Sequence, residues 1–288
     1  MQYLNYLFFR ASKFMFSIVS FNLLYKISDI LYLLLFYVFK YRKKIVFKNL
    51  NSAFPHKTKV EINTIAQKFY RNLADILLES LKGLSMTGDE LVRRYKGINT
   101  KLVNAYAAEN QSIVAMGAHY ANWEWGAVCA GLQYDLRSIG IYKQLSNKRI
   151  DNYIKKLRAK LNMNLVATKD TATSFEALQG QNCAFIMLAD QRPSSRRLAY
   201  DIDFLGQKTL CLHGSEKYAR SYNYPVVFID IQRVKRGFYT FTLSEICRDP
   251  SKLPAGEITK IFMQKLENRI LQQPENWLWS HNRWKKLS

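Results

Sequence analysis

Residues 112–126 read Ser-Ile-Val-Ala-Met-Gly-Ala-His-Tyr-Ala-Asn-Trp-Glu-Trp-Gly, and this stretch carries the clearest signals for both fold and chemistry. Its first six residues are mostly apolar and end on a glycine, which is typical of a short buried strand. His119 follows the strand, and an apolar, tryptophan-rich helix is predicted to begin near Glu124. The stretch therefore predicts a strand, a turn that carries a histidine, and a helix.

The same alternation of short apolar runs and helical patterns continues along the chain. Buried strands are predicted at 112–117, 136–142, 183–188, 225–231 and 238–243, with a hairpin at Arg236-Gly237 before the last. Helices are predicted at 60–84, 150–161, 171–178, 215–222 and 257–272. Strands that alternate with helices predict an α/β fold, in which helices cover both faces of the sheet.

Composition limits the classes of protein and partner. The chain has 288 residues, of which 48% are hydrophobic and 14% aromatic, with only 12 Gly and 6 Pro, so disorder and collagen-like repeats are excluded. The 43 Lys and Arg against 22 Asp and Glu give a formal charge of +21. Such a protein is attracted to polyanions: nucleic acid, an anionic membrane surface, or an acidic partner or substrate.

The cysteines indicate neither a disulfide framework nor a zinc site. Cys129, Cys183, Cys211 and Cys247 are scattered, without a C-x-x-C pair or a histidine at metal-ligand spacing. A reducing compartment suits them. We expect no metal and no bound cofactor.

The N-terminus favours a membrane among these polyanions. The 26 residues 14–39 are apolar apart from Lys26, Asp29 and a few small polar residues, and about 20 apolar residues suffice to cross a bilayer as a helix. Lys26 and Asp29 lie three residues apart and could pair on one helical face. The stretch lacks the short apolar region and small-residue cleavage site of a removable signal peptide. The cations that follow favour the cytoplasmic side: Lys40, Arg42, Lys43, Lys44 and Lys48.

Three arrangements of this stretch remain open: a membrane span, a helix lying in the interface, and a helix buried in a soluble core. We expect residues 1–45 to form an N-terminal membrane-anchoring helix segment. No repeat, linker or change of composition follows residue 50, so residues 46–288 are predicted to form a single domain.

His119 and Glu124 are the candidate catalytic pair. In one continuous helix, five residues would separate the two side chains by about 140°. A turn between strand and helix lets the carboxylate reach back to the imidazole, where it would orient His119 as a general base. An isolated pair at this spacing is more often a core histidine beside an unrelated surface glutamate, so the surrounding residues have to decide.

The surrounding residues resemble a known family. His119-Tyr-Ala-Asn-Trp-Glu124 is similar to the H-x-G-N-W-E signature of the lipid A late acyltransferases, the lauroyl and myristoyl acyltransferases within the lysophospholipid acyltransferase superfamily. Further blocks match in the family's order: Tyr142-Lys-Gln144, Leu188-Ala-Asp-Gln191, Phe204-Leu-Gly206, and 274–285 for the terminal P-E-x-x-x-W-x-H-x-R-[FW]-K signature. Ala121 departs from the pattern, since many members have glycine there, where freedom at positive φ would be useful.

The resemblance implies a glycerolipid-acyltransferase-like mixed sheet and an enzyme. It would move a fatty acyl chain from a thioester, usually acyl carrier protein, to a hydroxyl of a lipid A precursor. The expected location is the inner membrane, with the catalytic domain on the cytoplasmic face. His119 would deprotonate the acceptor hydroxyl and Glu124 would orient His119. No serine or cysteine nucleophile is required, and Cys129 and Cys183 fall inside apolar runs typical of a core.

Further candidates are expected to contact substrate. Six cations lie between Lys148 and Lys160 against the single acid Asp151, and Arg192, Arg196 and Arg197 form a second cluster. Arginine suits bidentate contacts with phosphate, although any one cation could simply be solvated. Asp190, at a strand end, is expected to position other groups and not to act as a second base. Arg283 could close the site or bind membrane phosphates. The candidate substrate-binding residues are Asn122, Arg149, Arg158, Asp190, Gln191, Arg192 and Arg283.

Two other classes and one variant compete with this interpretation. The charge alone would also fit a nucleic-acid-binding protein, but the apolar N-terminus and the lack of a helix-turn-helix, RRM or zinc-finger pattern oppose it, and we expect no nucleic-acid partner. A non-catalytic membrane scaffold would not need both His119 and Glu124. The variant keeps the chemistry and changes the acceptor to an aminolipid or a glycosylated phospholipid.

Overall fold

The structure is a computed structural model that describes residues 2–285. Its α-helices are α1 (Gln2–Ile18), α2 (Phe21–Leu33), α3 (Lys43–Ala53), α4 (Lys59–Gly83), α5 (Gly88–Arg94), α6 (Lys101–Ala108), α7 (Trp123–Ala130), α8 (Lys148–Ala159), α9 (Thr171–Ala177), α10 (Gly214–Tyr222) and α11 (Glu257–Gln272). Its strands are β1 (Tyr95–Ile98), β2 (Ile113–Gly117), β3 (Arg137–Tyr142), β4 (Met163–Ala167), β5 (Cys183–Leu188), β6 (Ala199–Phe204), β7 (Gln207–Leu212), β8 (Val226–Lys235) and β9 (Phe238–Cys247).

Seven strands form one mixed sheet in the order β1-β9-β8-β2-β5-β3-β4, and β6 and β7 form a separate antiparallel pair. The only antiparallel neighbours described within the seven-stranded sheet are β8 and β9. The central strand β2 runs parallel to β5, with Gly117 opposite Leu188. Parallel pairing brings the carboxyl ends of β2 and β5 to one edge, so the residues that follow these strands become neighbours.

Helices flank the sheet, and the predicted α/β class is confirmed. Helix α10 packs on β2, α11 on β8 and β9, and α7 on β1. All five residues of β2 are buried, as its uninterrupted apolar run requires when both faces are covered. The predicted bounds of 183–188 and 257–272 match β5 and α11, and the predicted hairpin turns at Gly237 with φ 75°.

The strands missing from the prediction lack a strong apolar run. Strand β1 contains Lys96 and Gly97, and β4 contains Asn164. Both lie at the edges of the sheet, where a strand needs less apolar surface. Strand β6 does carry a signal in its alternation Tyr-Asp-Ile-Asp-Phe, whose Ile202 and Phe204 are buried.

The apolar N-terminal stretch is divided between two helices. Helix α1 ends at Ile18, and the side chain of Ser20 caps α2 by accepting from the backbone N–H of Leu23 at 3.4 Å. Helix α2 continues through a π-helical turn, Leu34–Val38. Within the described part of the chain, the continuous helix Phe21–Val38 is the one long and apolar enough to cross a membrane.

Helix α2 packs along α4 through a buried row, Leu24, Ser28, Tyr32 and Phe36. Asp29, which by its spacing could pair with Lys26, makes an ion pair with Arg236 in the β8–β9 hairpin at 2.7 Å. Asp29 meets Arg236 because packing of α2 against the domain brings them together. Arg236 also binds the buried Asp75 of α4 at 2.7 Å, so its guanidinium lies between two carboxylates.

Candidate active site

The turn after β2 is held by the C-terminal segment. The backbone N–H of Ala121 donates to the carbonyl of Asn276 at 2.8 Å, and that of Leu278 donates to the carbonyl of His119 at 3.1 Å. Ala121 has φ 48°, the left-handed conformation that glycine adopts more easily and that costs another residue roughly 1–2 kcal/mol. The backbone hydrogen bonds to the terminal segment hold Ala121 in this conformation.

The hydrogen-bond partner of His119 is Asp190. The Nδ1 atom of His119 lies 2.7 Å from Oδ1 of Asp190, and the side chain of Asp190 is 2% exposed. The indole N–H of Trp277 donates to the other carboxylate oxygen at 2.9 Å. Since Asp190 follows β5 and His119 follows β2, the parallel pairing of the two strands accounts for the contact.

Electrostatics favour a proton on the imidazole and an ionised Asp190. Burial lowers the pKa of His119, but the Asp190 carboxylate, and to a lesser extent that of Glu124, outweighs burial and raises this pKa above its usual 6.5. Burial would raise the pKa of Asp190, but His119 and Trp277 together lower it. An ionised carboxylate at Nδ1 fixes the proton there, which leaves Nε2 as the acceptor nitrogen.

The second ring nitrogen of His119, Nε2, lies beside the side-chain amide of Gln191. Nε2 of His119 lies 3.1 Å from the amide nitrogen of Gln191, and the ring packs edge-on against Trp123 with centroids 5.4 Å apart. The His119 side chain is 19% exposed, in contrast to Asp190 behind it. A partly exposed histidine with one ring nitrogen fixed by a buried carboxylate has the arrangement of a general base.

Glu124 occupies a different position from the one expected. Its carboxylate pairs with the guanidinium of Arg158 on α8, so the structure gives the orienting contact with His119 to Asp190. Glu124 lies in the first turn of α7, where its carboxylate meets the guanidinium of α8 and not the imidazole. Its negative charge makes a smaller contribution than Asp190 to the raised pKa of His119.

Two mainly apolar cavities lie near these groups. The first, about 150 Å³, is bordered by Glu124 and Arg158 and lined by Gly83, Met86, Leu91, Trp125, Val128 and Leu161. The second, about 340 Å³, lies at the ends of β3 and β5 and is lined by Ile141, Met187, Leu188, Leu212, His213 and Tyr218. The first cavity lies among α4, α5, α7 and α8, and the second lies beside the strand ends that precede Asp190.

Asn122, expected to contact substrate, is fully buried and serves the fold. Its side-chain oxygen accepts from the backbone N–H of Trp125 at 2.9 Å and so caps α7. Its amide nitrogen donates to the Glu79 carboxylate at 2.7 Å. These contacts explain why the motif carries an asparagine directly before the helix, and they leave Asn122 no exposed surface for a ligand.

Glu79 is a site-supporting residue that the sequence analysis missed. This fully buried carboxylate also accepts from Tyr25 at 2.8 Å and Tyr239 at 2.7 Å, so it joins α2, β9 and the turn after β2. The available signal was the pair Asp75 and Glu79, four residues apart within an apolar helix. They take the buried face of α4, whereas the apolar Leu77 between them is 47% exposed.

The remaining candidates separate into two groups. Gln191 and Arg192 lie at the site: the backbone N–H of Arg192 donates to Nε2 of His281 at 3.1 Å, and its guanidinium to the carbonyl of Lys285 at 3.1 Å. Burial lowers the pKa of His281 to about 4, which keeps it a neutral acceptor. Arg149 is exposed and stacks on Tyr3 of α1, 5.3 Å from the ring centroid.

Arg283 anchors the C-terminal segment and is 2% exposed. Its guanidinium donates to the carbonyl of Leu210 at 2.8 Å and to the sulfur of Cys211 at 3.3 Å, and burial lowers its pKa. This placement differs from the expected contact with membrane phosphates, because a phosphate could reach the guanidinium only if the segment came away from β7.

Within residues 2–285, no group of three or more His, Cys, Asp or Glu side chains is placed to hold a metal ion. The four cysteines, Cys129, Cys183, Cys211 and Cys247, are buried and unpaired by disulfides.

Comparison with known proteins identifies the family of this chain. A family model described as bacterial lipid A biosynthesis acyltransferase matches residues 2–286. The lipid A biosynthesis lauroyltransferase of Escherichia coli (strain K12) is 24% identical over 249 residues, which cover 85% of this chain and 80% of that relative. The family match includes the His119 turn, Asp190 and the terminal signature. The chain therefore belongs to the bacterial lipid A biosynthesis acyltransferases and is an acyltransferase.

Proposed function

We propose that this acyltransferase moves a fatty acyl chain from an acyl-thioester, carried by acyl carrier protein, to a hydroxyl of a lipid A precursor, with His119 as general base. The observation that carries the proposal is the 2.7 Å contact between Nδ1 of His119 and the buried carboxylate of Asp190, in a histidine whose side chain is itself partly exposed. Family membership supplies the class of reaction.

In the proposed mechanism, Nε2 of His119 takes the proton of the acceptor hydroxyl as its oxygen attacks the thioester carbonyl. Asp190 stabilises the imidazolium that forms. When the tetrahedral intermediate collapses, the carbon–sulfur bond breaks and the departing thiolate takes the proton back from His119. The step consumes one thioester and one hydroxyl and yields one ester and one thiol.

A direct transfer suits the buried cysteines. Burial raises the pKa of Cys129 and Cys183, which keeps these thiols protonated and weakly nucleophilic. In the proposal, the amide of Gln191, 3.1 Å from Nε2 of His119, donates to the developing oxyanion.

The ion pair of Glu124 and Arg158 borders the apolar cavity of about 150 Å³, and we assign this edge to substrate. An apolar cavity suits a fatty acyl chain, and the guanidinium of Arg158 suits a phosphate of the carrier or the acceptor. Helix α8 adds further exposed cations beside Arg158. With the net charge of +21, these cations favour encounter with an acidic carrier protein and an anionic lipid.

The lipid acceptor places the proposed reaction at a membrane. The exposed apolar residues of α1 and α2 and the cations after them support attachment at the cytoplasmic face of the inner membrane, where acyl carrier protein would be available.

The test uses detergent-solubilised full-length protein, acyl-acyl carrier protein and a tetra-acylated lipid A precursor, with product detected by mass spectrometry. Wild type should add one acyl chain, and His119→Ala should lose at least two orders of magnitude in rate, the usual contribution of a general base. His56→Ala, an exposed histidine before α4, is the matched control and should keep the wild-type rate.

Two outcomes would contradict the proposal. If wild type modifies no precursor but consumes thioester with a total lipid extract, the acceptor assignment is wrong. If His119→Ala retains the wild-type rate, the assigned base is wrong.

A further inference from the structure

The first two helices expose a long apolar face. On α1, Leu4, Leu7, Phe8, Phe14 and Ile18 fall within roughly 120° of the helix circumference, at about 100° per residue, and are 45–75% exposed. On α2 and its π-helical continuation, Leu23, Ile30, Leu33 and Tyr37 form a similar row and are 49–59% exposed. Rows at this spacing form a stripe along each helix, and an exposed apolar surface of this kind marks an interaction site.

The opposite side of α2 is bonded to the protein by polar groups. Tyr25 donates to Glu79 at 2.8 Å, Ser28 donates to Asp75 at 2.6 Å, and Asp29 binds Arg236 at 2.7 Å. These bonds occupy the first half of the helix, and the buried Tyr32 and Phe36 continue the contact through the second. Helix α2 is therefore attached to the α/β domain along its length.

Helix α1 is attached in the same manner at its inner side. Tyr6 and Phe9 pack edge-on against Tyr153 of α8, with ring centroids 6.2 and 5.8 Å apart. At the end of the helix, the ammonium group of Lys82 donates to the carbonyls of Ser17 and Val19 at 2.8 and 2.9 Å. Both helices thus expose an apolar side and hold the domain with the other.

This attachment is incompatible with a helix that stands across a bilayer. The 18 residues Phe21–Val38 measure about 27 Å as a helix, close to the roughly 30 Å of a hydrocarbon core. An upright α2 would carry α4 and the Asp75–Arg236 ion pair into the lipid, where buried charges are costly. Separation of α2 from the domain would instead take Ser28 from the buried Asp75 and Tyr25 from the buried Glu79.

We propose that α1 and α2 lie in the plane of the membrane surface, with their exposed apolar rows in an anionic lipid leaflet and the domain above them on the same side. The inference rests on the proposed function in that the acceptor is a membrane lipid, and it deepens that function by defining how the enzyme is seated.

Charge favours lipid over a second copy of the chain as the occupant. The exposed Lys40, Lys44 and Lys48 follow the apolar row of α2 directly, and Arg10 lies on α1. These cations would repel their counterparts across a symmetric dimer interface, whereas each contributes about 1 kcal/mol at an anionic lipid surface.

The first experiment measures depth. Leu23→Cys, Ile30→Cys and Tyr37→Cys are each labelled with an environment-sensitive fluorophore, bound to vesicles of phosphatidylcholine and phosphatidylglycerol (7:3), and quenched by lipids that carry the quencher at known depths. The native thiols are buried, so labelling is directed to the new cysteine. The proposal expects one shared shallow depth. A deep Ile30 site between two shallow sites would show a span and overturn it.

The second experiment measures sidedness in inside-out membrane vesicles with an impermeant maleimide. Gln2→Cys, at the start of α1 and off its apolar row, is compared with Ala172→Cys, an exposed site on α9 of the domain. The proposal expects both cysteines to react from the same side at rates within a few-fold. A span through α2 would place Gln2 on the far side and leave it unlabelled.

The third experiment tests the face with a matched control. Leu4→Ser/Phe8→Ser/Phe14→Ser should lower the vesicle-bound fraction at least tenfold, while Val60→Ser/Val234→Ser/Leu271→Ser, which removes exposed apolar residues elsewhere, should not. Unchanged binding by the first variant, or a change in its oligomeric state in place of binding, would overturn the proposal. Because the vesicles contain no acceptor, failure here is distinct from failure of acyl transfer, which is measured in detergent.

Discussion

Asp190 and Glu79 are two buried carboxylates of this protein, at 2% and 0% exposure, with opposite protonation behaviour. Asp190 faces an imidazole that can carry positive charge, and its pKa is lowered despite burial. Burial raises the pKa of Glu79 to about 7, and its hydrogen bonds to the neutral donors Tyr239 and Tyr25 only partly oppose the shift. A buried carboxylate beside a group that can become positively charged thus stays ionised more easily than one beside neutral hydrogen-bond donors.

The two carboxylates also differ in what lies beyond them. The imidazole that Asp190 holds is partly exposed, with 19% of the His119 side chain accessible. Every group bound to the Glu79 carboxylate is itself part of the packed interior: Tyr25, Asn122 and Tyr239. In the proposed function Asp190 supports the reaction through His119, whereas Glu79 joins α2, β9 and the turn after β2. The comparison predicts that substitutions at Asp190 damage activity and that those at Glu79 damage stability.

Asp190→Asn is expected to have the largest effect. The amide no longer stabilises an imidazolium, so the acyl transfer rate should fall by roughly 10²–10⁴, with little change in the free energy of unfolding. Glu124→Gln, at the position expected from the sequence to orient His119, should reduce the rate much less. Steady-state kinetics of the two variants side by side decide between the acids, and a larger loss in Glu124→Gln would return the orienting role to Glu124.

Glu79→Ala should reverse the pattern. It leaves the three donors on this carboxylate unsatisfied, at about 1–3 kcal/mol each in a buried site, so the free energy of unfolding should fall by about 3 kcal/mol or more. Chemical denaturation in detergent measures the loss. The rate per folded molecule should fall less than in Asp190→Asn, and a fully stable but inactive Glu79→Ala would break the comparison.

The pH dependence of stability gives Glu79 a second signature. Because its pKa is about 7 when folded against 4.5 as a free side chain, the folded state holds the proton more tightly. This contribution is fully present below pH 4.5 and is lost as the pH rises through 7. Glu79→Gln cannot lose a proton, so its stability relative to wild type should improve over that interval.

The pH dependence of activity is the next effect in size. The pKa of His119 lies above its usual 6.5 because Asp190 outweighs burial. Below that pKa the rate should fall tenfold per pH unit as the base is protonated, and above it the rate should level off. In residual activity of Asp190→Asn, this midpoint should move to lower pH. An unshifted midpoint would mean that another group titrates.

The smallest expected effect concerns the ion pair of Asp29 on α2. Asp29 is 57% exposed and Arg236 34% exposed, so Asp29→Asn should cost no more than about 1 kcal/mol of unfolding free energy. Lys26→Met is the control and should change nothing, because the partner of Asp29 is Arg236. An equal loss in both variants would restore the Lys26–Asp29 pair that the sequence suggested.

The sequence predicted what depends on local pattern. Buried strands such as 183–188 and helices such as 257–272 follow from apolar periodicity, and His119 follows from its place after a strand. The partner of His119 was misassigned because proximity in sequence favoured Glu124, whereas Asp190 is 71 residues away and arrives through the pairing of β2 with β5. Asp190 was named as a positioning residue, but its contact with His119 depends on strand order, which no local pattern encodes.

The burial of particular polar side chains was the other feature that could not be predicted from the sequence. Asn122 and Arg283 were expected at the substrate because polar residues in a motif suggest contact with ligand, yet both are in the interior. Asp75 and Glu79 were overlooked for the opposite reason, since acids within a helix suggest a solvated face. Asp75, Glu79 and Arg283 each bind residues far along the chain, such as Arg236 for Asp75.

The bond between Asp29 and Arg236 has a consequence for synthesis, because 207 residues separate them. At roughly 5–20 residues per second, α2 leaves the ribosome some 10–40 seconds before its partner is made. During that interval the helix presents apolar residues on one side and Tyr25, Ser28 and Asp29 on the other, with no domain to receive them. A membrane surface that accepts the apolar side first would protect the nascent chain from aggregation and hold α2 ready for the domain to fold onto it.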